Sequence, residues 1–144
     1  MAASQQQVAT FLTFSGRAEE AMSFYLSLFD RAELVNIRRY GPNEASPEGS
    51  VLHATFTLAG QTFMCSDSFV EHAWTFTPAI SLCVTCRTDE EIDRLYASLS
   101  QEGEVFMPLQ AYPFSPKFAW VRDRYGVSWQ LTLDPVNGPQ QSSR

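Results

Sequence analysis

The chain has 144 residues, of which 44% are hydrophobic and 18% charged, and its formal net charge at pH 7 is −6. This length suits one domain with a substantial apolar core. The acidic balance argues against nucleic acid as a partner, because a surface that tracks phosphates needs clustered Lys and Arg. No apolar stretch reaches the ~20 residues that span a bilayer, and the polar start has no signal-peptide pattern. The three cysteines are an odd count, typical of a reducing compartment, so we expect a cytoplasmic protein without membrane attachment.

The first half of the chain combines strand patterns with one helical pattern. β-Branched and aromatic residues predict a strand over 8–14, and apolar residues at steps of three and four predict an amphipathic helix over 17–29. Three further strands are predicted, over 33–40, 51–58 and 61–67.

The same order recurs after a linker predicted over 68–78. A strand is predicted over 79–86, and Thr88 with Glu91 forms a capping box that predicts the start of a second helix. Three more strands follow, over 103–109, 117–122 and 127–133. The remaining residues, 135–144, are predicted to form a disordered tail.

The two halves also match in their residues. At an offset of 71, the segment 19–28 lies over 90–99 with five of ten positions identical, and Thr10 lies over Ser81. Chance likeness of two amphipathic helices is the alternative, but the matching strand order favours a true repeat. We therefore predict two modules, about 8–67 and 79–133, within one domain spanning 1–134.

Four segments carry a family likeness: FSGRAEEAMSFY (14–25), HATFTLAG (53–60), MCSD (64–67) and DRYGVSWQ (123–130). Together they resemble the PhnB-like branch of the vicinal oxygen chelate superfamily, which includes glyoxalase I, extradiol dioxygenases and bleomycin-resistance proteins. The resemblance implies an α+β fold in which two βαβββ modules form a cupped mixed sheet with helices on its outer face. It also implies a homodimer, in some relatives with exchanged modules.

The resemblance further implies where a metal would sit. In the superfamily the first and last strand of each half usually contribute one ligand each. The matching positions are Thr10, Met64, Ser81 and Gln130. Thr, Met and Ser do not supply the imidazole and carboxylate donors that divalent ions prefer, so we expect no metal and no cofactor. Some members of the branch are described as demethylubiquinone methyltransferases, but no Gly-rich loop follows a strand to cradle a nucleotide-like cofactor.

Strand alternation predicts where a ligand would bind. Ser81 and Cys83 share one face of their strand, as do Ser128, Gln130 and Thr132 of theirs. These polar faces would line a cavity or, alternatively, form a plain solvent-facing surface. The predicted pocket residues are Thr10, Met64, Ser66, Ser81, Cys83 and Gln130, with Tyr112, Phe114 and Trp120 near the mouth.

Two residues are candidate proton carriers. His53 lies on the polar face of its strand and could act as an acid or base, or serve as a hydrogen-bonded wall residue. Asp67 ends a strand, where it could accept a proton or shape the following turn. Cys83 and Cys86 form a C-x-x-C sequence, but their odd spacing places them on opposite faces of a strand, which argues against a redox pair or a zinc site.

Three functional hypotheses remain open, because a fold does not fix a function. The favoured one is a metal-free module that binds a small, partly aromatic molecule. The second is an enzyme of the lyase, isomerase or transferase type acting on a small metabolite, with His53 or Asp67 as proton carrier. The third is a structural dimer without a ligand.

Overall fold

The computed structural model describes residues 6–134, so the tail predicted over 135–144 lies outside the described residues. The chain divides into two compact units, Met1–His72 and Ala73–Arg144. Each unit contains one helix and its own four-stranded sheet. Within the described residues, no helix is both long and apolar enough to cross a membrane.

The first unit is a βαβββ module. Its sheet has the order β1-β4-β3-β2, in which β1 and β4 are parallel and the other neighbours are antiparallel. The elements are β1 (Thr10–Phe14), α1 (Ala18–Leu28), β2 (Ala32–Arg39), β3 (Val51–Leu58) and β4 (Gln61–Asp67).

The second unit repeats this plan. Its sheet has the order β5-β8-β7-β6, with β5 and β8 parallel. The elements are β5 (Leu82–Cys86), α2 (Asp89–Ser100), β6 (Glu104–Tyr112), β7 (Ser115–Arg122) and β8 (Ser128–Leu133). The predicted duplicated βαβββ order is therefore confirmed, with two separate four-stranded sheets.

Each helix covers one face of its own sheet and buries an apolar stripe against it. α1 buries Met22 and Tyr25, while α2 buries Ile92, Leu95 and Leu99. Burial of a side chain of this size contributes about 1.5–3 kcal/mol, so these stripes fix the helices on the sheets. The face under the helix is called the helix-covered face, and the opposite one the helix-distal face.

The two helices begin in different ways. Thr88 accepts a hydrogen bond from the Glu91 amide at 3.1 Å, and the Glu91 carboxylate accepts one from the Arg87 amide at 2.9 Å. These two contacts form the predicted capping box, except that the Glu91 carboxylate accepts from the amide of Arg87 and not from the amide of Thr88. α1 has no side-chain cap from its preceding residue. Instead the Ala18 amide donates to Asp67 of β4 at 2.8 Å, so a distant strand satisfies the start of this helix.

Two segments differ from their prediction. β5 begins at Leu82, three residues after the predicted start. The residues between the strands predicted over 103–109 and 117–122 form the tip of the β6–β7 hairpin, with Tyr112 paired to Ser115. β6 lies at the edge of its sheet, where Pro108 costs no internal hydrogen bond. Pro108 and the turn-type residues after it therefore do not end β6. They coincide with irregular pairing between β6 and β7.

Candidate functional site

The helix-distal face of the second sheet carries three rows of side chains across its strands. Strand pairing defines each row, since directly paired residues project to the same side. From β5 to β6 the rows are Ser81, Ser128, Arg122 and Glu104; then Cys83, Gln130, Trp120 and Met107; then Thr85, Thr132, Phe118 and Gln110.

These rows place a strip of small polar side chains beside a wall of aromatic ones. β5 and β8 supply hydroxyl, thiol and amide groups, whereas β7 supplies Trp120 and Phe118. The ring of Phe118 meets Phe114 edge-on at 4.9 Å, and Tyr112 stacks on Phe114 at 5.6 Å. Phe106 contacts Trp120 at 5.3 Å. A strip of this kind can hydrogen-bond a flat molecule while the wall packs against its apolar part.

A hydrogen-bond chain orders one end of the strip. The Trp120 indole Nε1 donates to the Ser128 hydroxyl at 2.9 Å, and Ser128 Oγ lies 2.7 Å from Ser81 Oγ. Ser128 is 2% exposed. These hydrogen bonds therefore connect a buried hydroxyl to the half-buried Ser81 at the end of the strip.

A second hydroxyl pair orders the other end. Thr132 Oγ1 lies 2.8 Å from the Ser115 hydroxyl, which donates to the Lys117 carbonyl at 2.9 Å. Ser115 is buried and Thr132 half-buried. Both ends of the strip are thus held by buried serines from neighbouring strands.

The first sheet carries different chemistry on its helix-distal face. Its middle row is Phe11, Met64, Thr55 and Asn36. Phe11 and Met64 occupy the places that Cys83 and Gln130 occupy in the second sheet. His53 lies on the same face, with its ring 5.9 Å from that of Phe11. This face is therefore more apolar on β1 and β4, and the polar strip belongs to the second unit.

Thr10 requires a correction. It pairs with Phe63 and shares the helix-covered face with Leu12, whereas Met64 pairs with Phe11 on the other face. Three residues connect β1 to α1 but only two connect β5 to α2. The helices align at an offset of 71 residues, but the strands before them align at an offset of 72. The residue equivalent to Ser81 is therefore Ala9. Because sides alternate, this single step moves Thr10 to the wrong face.

Asp67 also requires a correction, because it occupies a structural position. It is 4% exposed and shares the helix-covered face with Phe63 and Cys65. Its two carboxylate oxygens accept hydrogen bonds from the Ala18 amide at 2.8 Å and the Val51 amide at 3.0 Å. A carboxylate held in this way positions backbone and does not face a ligand on the helix-distal side.

Asp123 plays a comparable part in the second unit. One oxygen accepts from the amides of Tyr125 and Val127 at 2.8 and 3.0 Å, and the other accepts from the Trp129 indole at 2.8 Å. Asp123 lies between the strands predicted over 117–122 and 127–133, and it begins the turn between β7 and β8, where its carbonyl accepts from the Gly126 amide at 2.9 Å. Its link to Trp129 was not evident, since an indole partner six residues away leaves no sequence pattern.

The cysteines separate as the spacing predicts. Cys83 pairs with Gln130 on the helix-distal face and is exposed, whereas Cys86 is buried on the opposite side. Burial raises the pKa of Cys86 to about 12, with Glu91 adding to the effect. Burial likewise raises the pKa of Cys65 to about 12, reinforced by Asp67. Cys83 and Cys86 therefore do not form a pair on one surface.

The predicted pocket residues fall on two sheets. Ser81, Cys83, Gln130 and Trp120 share the strip and its wall, and the nearby hairpin tip adds Tyr112 and Phe114. Met64 and Ser66 lie on the helix-distal face of the first sheet. The prediction omitted Ser128, Thr132 and Phe118 from the pocket, although the same strand alternation marks the first two.

Two clefts lie elsewhere, at equivalent turns of the two units. One of about 560 Å³ is lined by residues 102–104 and 122–126, and one of about 380 Å³ by residues 30–33 with Thr57 and Gly60. Neither contains a predicted pocket residue. Their linings are mainly charged side chains and turn backbone, which offer little to an aromatic ligand.

The side chains on these faces do not suit a divalent metal. Across residues 6–134, no three His, Cys, Asp or Glu side chains converge to hold an ion. Met64 and Gln130 remain, but a thioether and a single amide oxygen are weak ligands for such ions. The donor chemistry therefore does not fit the metal that the superfamily implies.

Comparison with known proteins places the chain in a described family. The sequence profile of a family described as 3-demethylubiquinone-9 3-methyltransferase matches residues 6–132. A structure from Bacillus cereus, described as a putative 3-demethylubiquinone-9 3-methyltransferase, PhnB protein, is 61% identical, with a TM-score of 0.87 over 90% of this chain and 100% of that one.

One relative of lower sequence identity and one solved structure are matched as well. Protein YjdN of Escherichia coli (strain K12) is 24% identical over 140 residues, which are 88% of this chain and 94% of that protein. The fosfomycin resistance protein FosX of Listeria monocytogenes, solved with Mn(II) and sulfate, is 13% identical with a TM-score of 0.59, covering 93% and 94% of the two chains. At that identity the likeness concerns the fold alone.

Proposed function

Since the chain belongs to the PhnB-like family of the vicinal oxygen chelate superfamily, we propose that it binds a small, partly aromatic organic molecule without a metal, on the helix-distal face of its second sheet. The observation that carries this proposal is the polar strip of β5 and β8 lying directly beside the aromatic side chains of β7. The net charge of −6 favours a neutral or cationic molecule over an anion.

The polarity of the strip supports an organic ligand over a bare surface. Two half-buried hydroxyls of the strip are each paired with a buried one through a short contact, Ser81 with Ser128 and Thr132 with Ser115. Trp120 adds its indole to the first pair. Held groups of this kind lose less freedom on binding, so they recognise a ligand at a lower entropic cost.

The family description implies a methyl donor, but the residues present do not fit a nucleotide-like cofactor. Such cofactors bind where a glycine-rich turn leaves a helix N-terminus free. Here the Ala18 amide at the start of α1 donates to Asp67, and Thr88 caps α2. The family description therefore shows which proteins the chain is related to, and the proposal takes no reaction from it.

The second candidate is an enzyme that uses His53 as its proton carrier. The observation in its favour is that the imidazole lies on a helix-distal face, against Phe11, whereas Asp67 is excluded by its backbone contacts. Such an enzyme would lose its activity on a small metabolite in His53→Gln and keep it in His72→Gln. Equal activity of the two variants would remove this candidate.

We also propose that the protein is a cytoplasmic homodimer. Exposed apolar side chains on the edge strand β2, Leu34 at 45% and Val35 at 56%, support a covered surface, and free thiols at all three cysteines fit a reducing compartment. Light scattering at micromolar concentration tests the first claim. A dimer mass supports it, and a monomer mass contradicts it.

Two tryptophans make the binding proposal testable within one spectrum. The Trp120 indole N–H lies on the helix-distal face, whereas that of Trp129 is held by Asp123 on the other side of the sheet. In nitrogen-15 NMR, titration with a naphthalene-based ligand should shift the Trp120 indole signal and leave the Trp129 signal in place. Movement of both signals together, or of neither, would contradict binding at this face.

A further inference from the structure

The hydrogen-bond chain at the Ser81 end of the strip has a fixed direction. Ser128 Oγ accepts the indole N–H of Trp120. The hydroxyl hydrogen of Ser128 needs its own acceptor because the side chain is 2% exposed. Ser81 Oγ, 2.7 Å away, is the acceptor found for it within residues 6–134. Ser81 therefore accepts from Ser128, and its own hydrogen is available to a partner outside the protein, because the side chain is only half-buried.

The opposite end of the strip has the opposite polarity. A hydroxyl has one hydrogen to donate. Ser115 gives its hydrogen to the Lys117 carbonyl, which can only accept. The contact between Ser115 and Thr132 at 2.8 Å then requires Thr132 to donate. The Thr132 oxygen keeps a free lone pair for a donor that approaches from the helix-distal side.

The strip is thus a donor at Ser81 and an acceptor at Thr132, and the distance between them is set by the strand. Ser128 and Thr132 are four residues apart on β8, which is about 13 Å in an extended strand, and Ser81 lies one strand across from Ser128, which makes the distance from Ser81 to Thr132 about 14 Å on the diagonal. Two hydrogen bonds of about 2.8 Å, one at each end, leave room for a ligand whose polar atoms are about 8–9 Å apart. Trp120 and Phe118 lie alongside this span.

We infer, on the basis of the proposed binding at this face, that the ligand is a flat aromatic molecule with a carbonyl oxygen at one end and a hydroxyl or amine donor at the other. The carbonyl oxygen accepts a hydrogen bond from the Ser81 hydroxyl, and the hydroxyl or amine group donates one to the Thr132 oxygen. A naphthalene ring bearing an acetyl and a hydroxyl group at its two ends has both groups at this separation.

A matched set of probes tests the inference: hydroxyacetonaphthone with both groups, acetonaphthone with the carbonyl alone, and naphthol with the hydroxyl alone. Naphthol is a poor acceptor, because its oxygen lone pair is delocalised into the ring. Binding of each to the full chain is measured by fluorescence titration. Wild type should bind the first probe most tightly, since it makes both hydrogen bonds.

Variants then separate the two ends. Ser81→Ala should weaken the two carbonyl probes by about 3- to 10-fold and leave naphthol unchanged, the loss expected for one hydrogen bond. Thr132→Val should weaken the two hydroxyl probes similarly and leave acetonaphthone unchanged. Thr55→Val, on the helix-distal face of the first sheet, is the matched control. A thermal melt of each variant verifies that it is folded.

The outcomes distinguish this inference from the proposal on which it rests. If the probes bind but affinity is indifferent to the polar groups and to both substitutions, the assigned direction is wrong, and the shift of the Trp120 indole signal decides separately whether binding at the face stands. The same holds if the two variants show the reverse pattern. If no probe binds to the wild type, the direction and the proposed binding both fall.

Discussion

The indole Nε1 of Trp120 donates to the buried hydroxyl of Ser128 at 2.9 Å, across the β7–β8 pair. This contact joins the aromatic wall to the polar strip and orients the indole beside Gln130. Because Ser128 also contacts Ser81 at 2.7 Å, one buried hydroxyl fixes two side chains of the proposed site.

Removal of the Ser128 hydroxyl should therefore affect both Trp120 and Ser81. We expect Ser128→Ala to lower the free energy of unfolding by about 1 kcal/mol, because the half-buried indole loses its acceptor. The Trp120 indole signal should move in the NMR spectrum while that of Trp129 stays. Urea unfolding provides the energy, and Ser66→Ala, on the helix-distal face of the first sheet, is the control. A neutral Ser128→Ala with an unmoved Trp120 signal would contradict the contact.

Asp67 should act through stability. Its carboxylate accepts from the Ala18 and Val51 amides, and hydrogen bonds to a charged group contribute about 1.5–3 kcal/mol each. We expect Asp67→Ala to lower the free energy of unfolding by about 2–4 kcal/mol, less than a simple sum since the contacts share one side chain.

The control for this variant is Asp30→Asn, which removes the charge of an exposed carboxylate and should change the stability little. Chemical denaturation of the two variants side by side is the measurement. Comparable stability of Asp67→Ala and Asp30→Asn would show that Asp67 does not hold α1 to β3, and would reopen its role as a proton carrier.

The three thiols should differ sharply in reactivity. Cys83 is exposed, whereas burial raises the pKa of both Cys65 and Cys86 to about 12, and the thiolate is the reactive form. A colorimetric thiol reagent at pH 8 should titrate one group per folded chain and three after denaturation. Cys83→Ser should leave no fast thiol. More than one fast thiol in the folded wild type would contradict the burial.

The raised pKa values of Cys65 and Cys86 also make the stability of the protein depend on pH in the alkaline range. A buried thiol stays protonated in the folded state after it has ionised in the unfolded chain, so the unfolded state binds fewer protons above the ordinary value of 9.0. The free energy of unfolding should therefore fall as the pH rises from about 9 towards about 12. Cys65→Ala and Cys86→Ala should each reduce that slope.

Gly103 should tolerate no side chain. A Cβ at this position would lie 2.1 Å from the Arg122 carbonyl oxygen, whereas one at Gly41 would meet its nearest atom at 3.9 Å. We expect Gly103→Ala to destabilise the fold by at least about 1–3 kcal/mol, because backbone must move to admit it. Gly41→Ala is the control and should be nearly neutral. Equal melting temperatures would contradict the close approach of the α2–β6 turn to β7.

Much of the fold could be predicted from the sequence because alternation and helical periodicity are strong in both modules. β3 and β4 begin and end at the predicted residues, and the predicted capping residue Thr88 does cap α2. Cys83 and Cys86 lie on opposite faces for the same reason. These features depend on neighbours within one element, which a sequence displays directly.

The site was predicted less completely, because a face assignment depends on register. Aligning the halves by their helices missed the extra residue between β1 and α1, which reversed the side assigned to Thr10. Asp67 was predicted to be a proton carrier or a turn-shaping residue, but alternation along β4 places it with Phe63 and Cys65 on the helix-covered face. The partners of Ser115 and Ser128 come from tertiary contacts, and no local pattern announces them.

Binding by metal-stripped protein tests the central claim most directly. The chain is treated with a chelator, analysed for residual metal, and titrated with hydroxyacetonaphthone before and after addition of Ni, Zn, Mn or Fe(II). We expect saturable binding with one site per chain, with the same affinity in every case and no metal retained after desalting. Binding that appears only with about one retained metal per chain would contradict the account, and would return His53 and Gln130 to consideration as ligands.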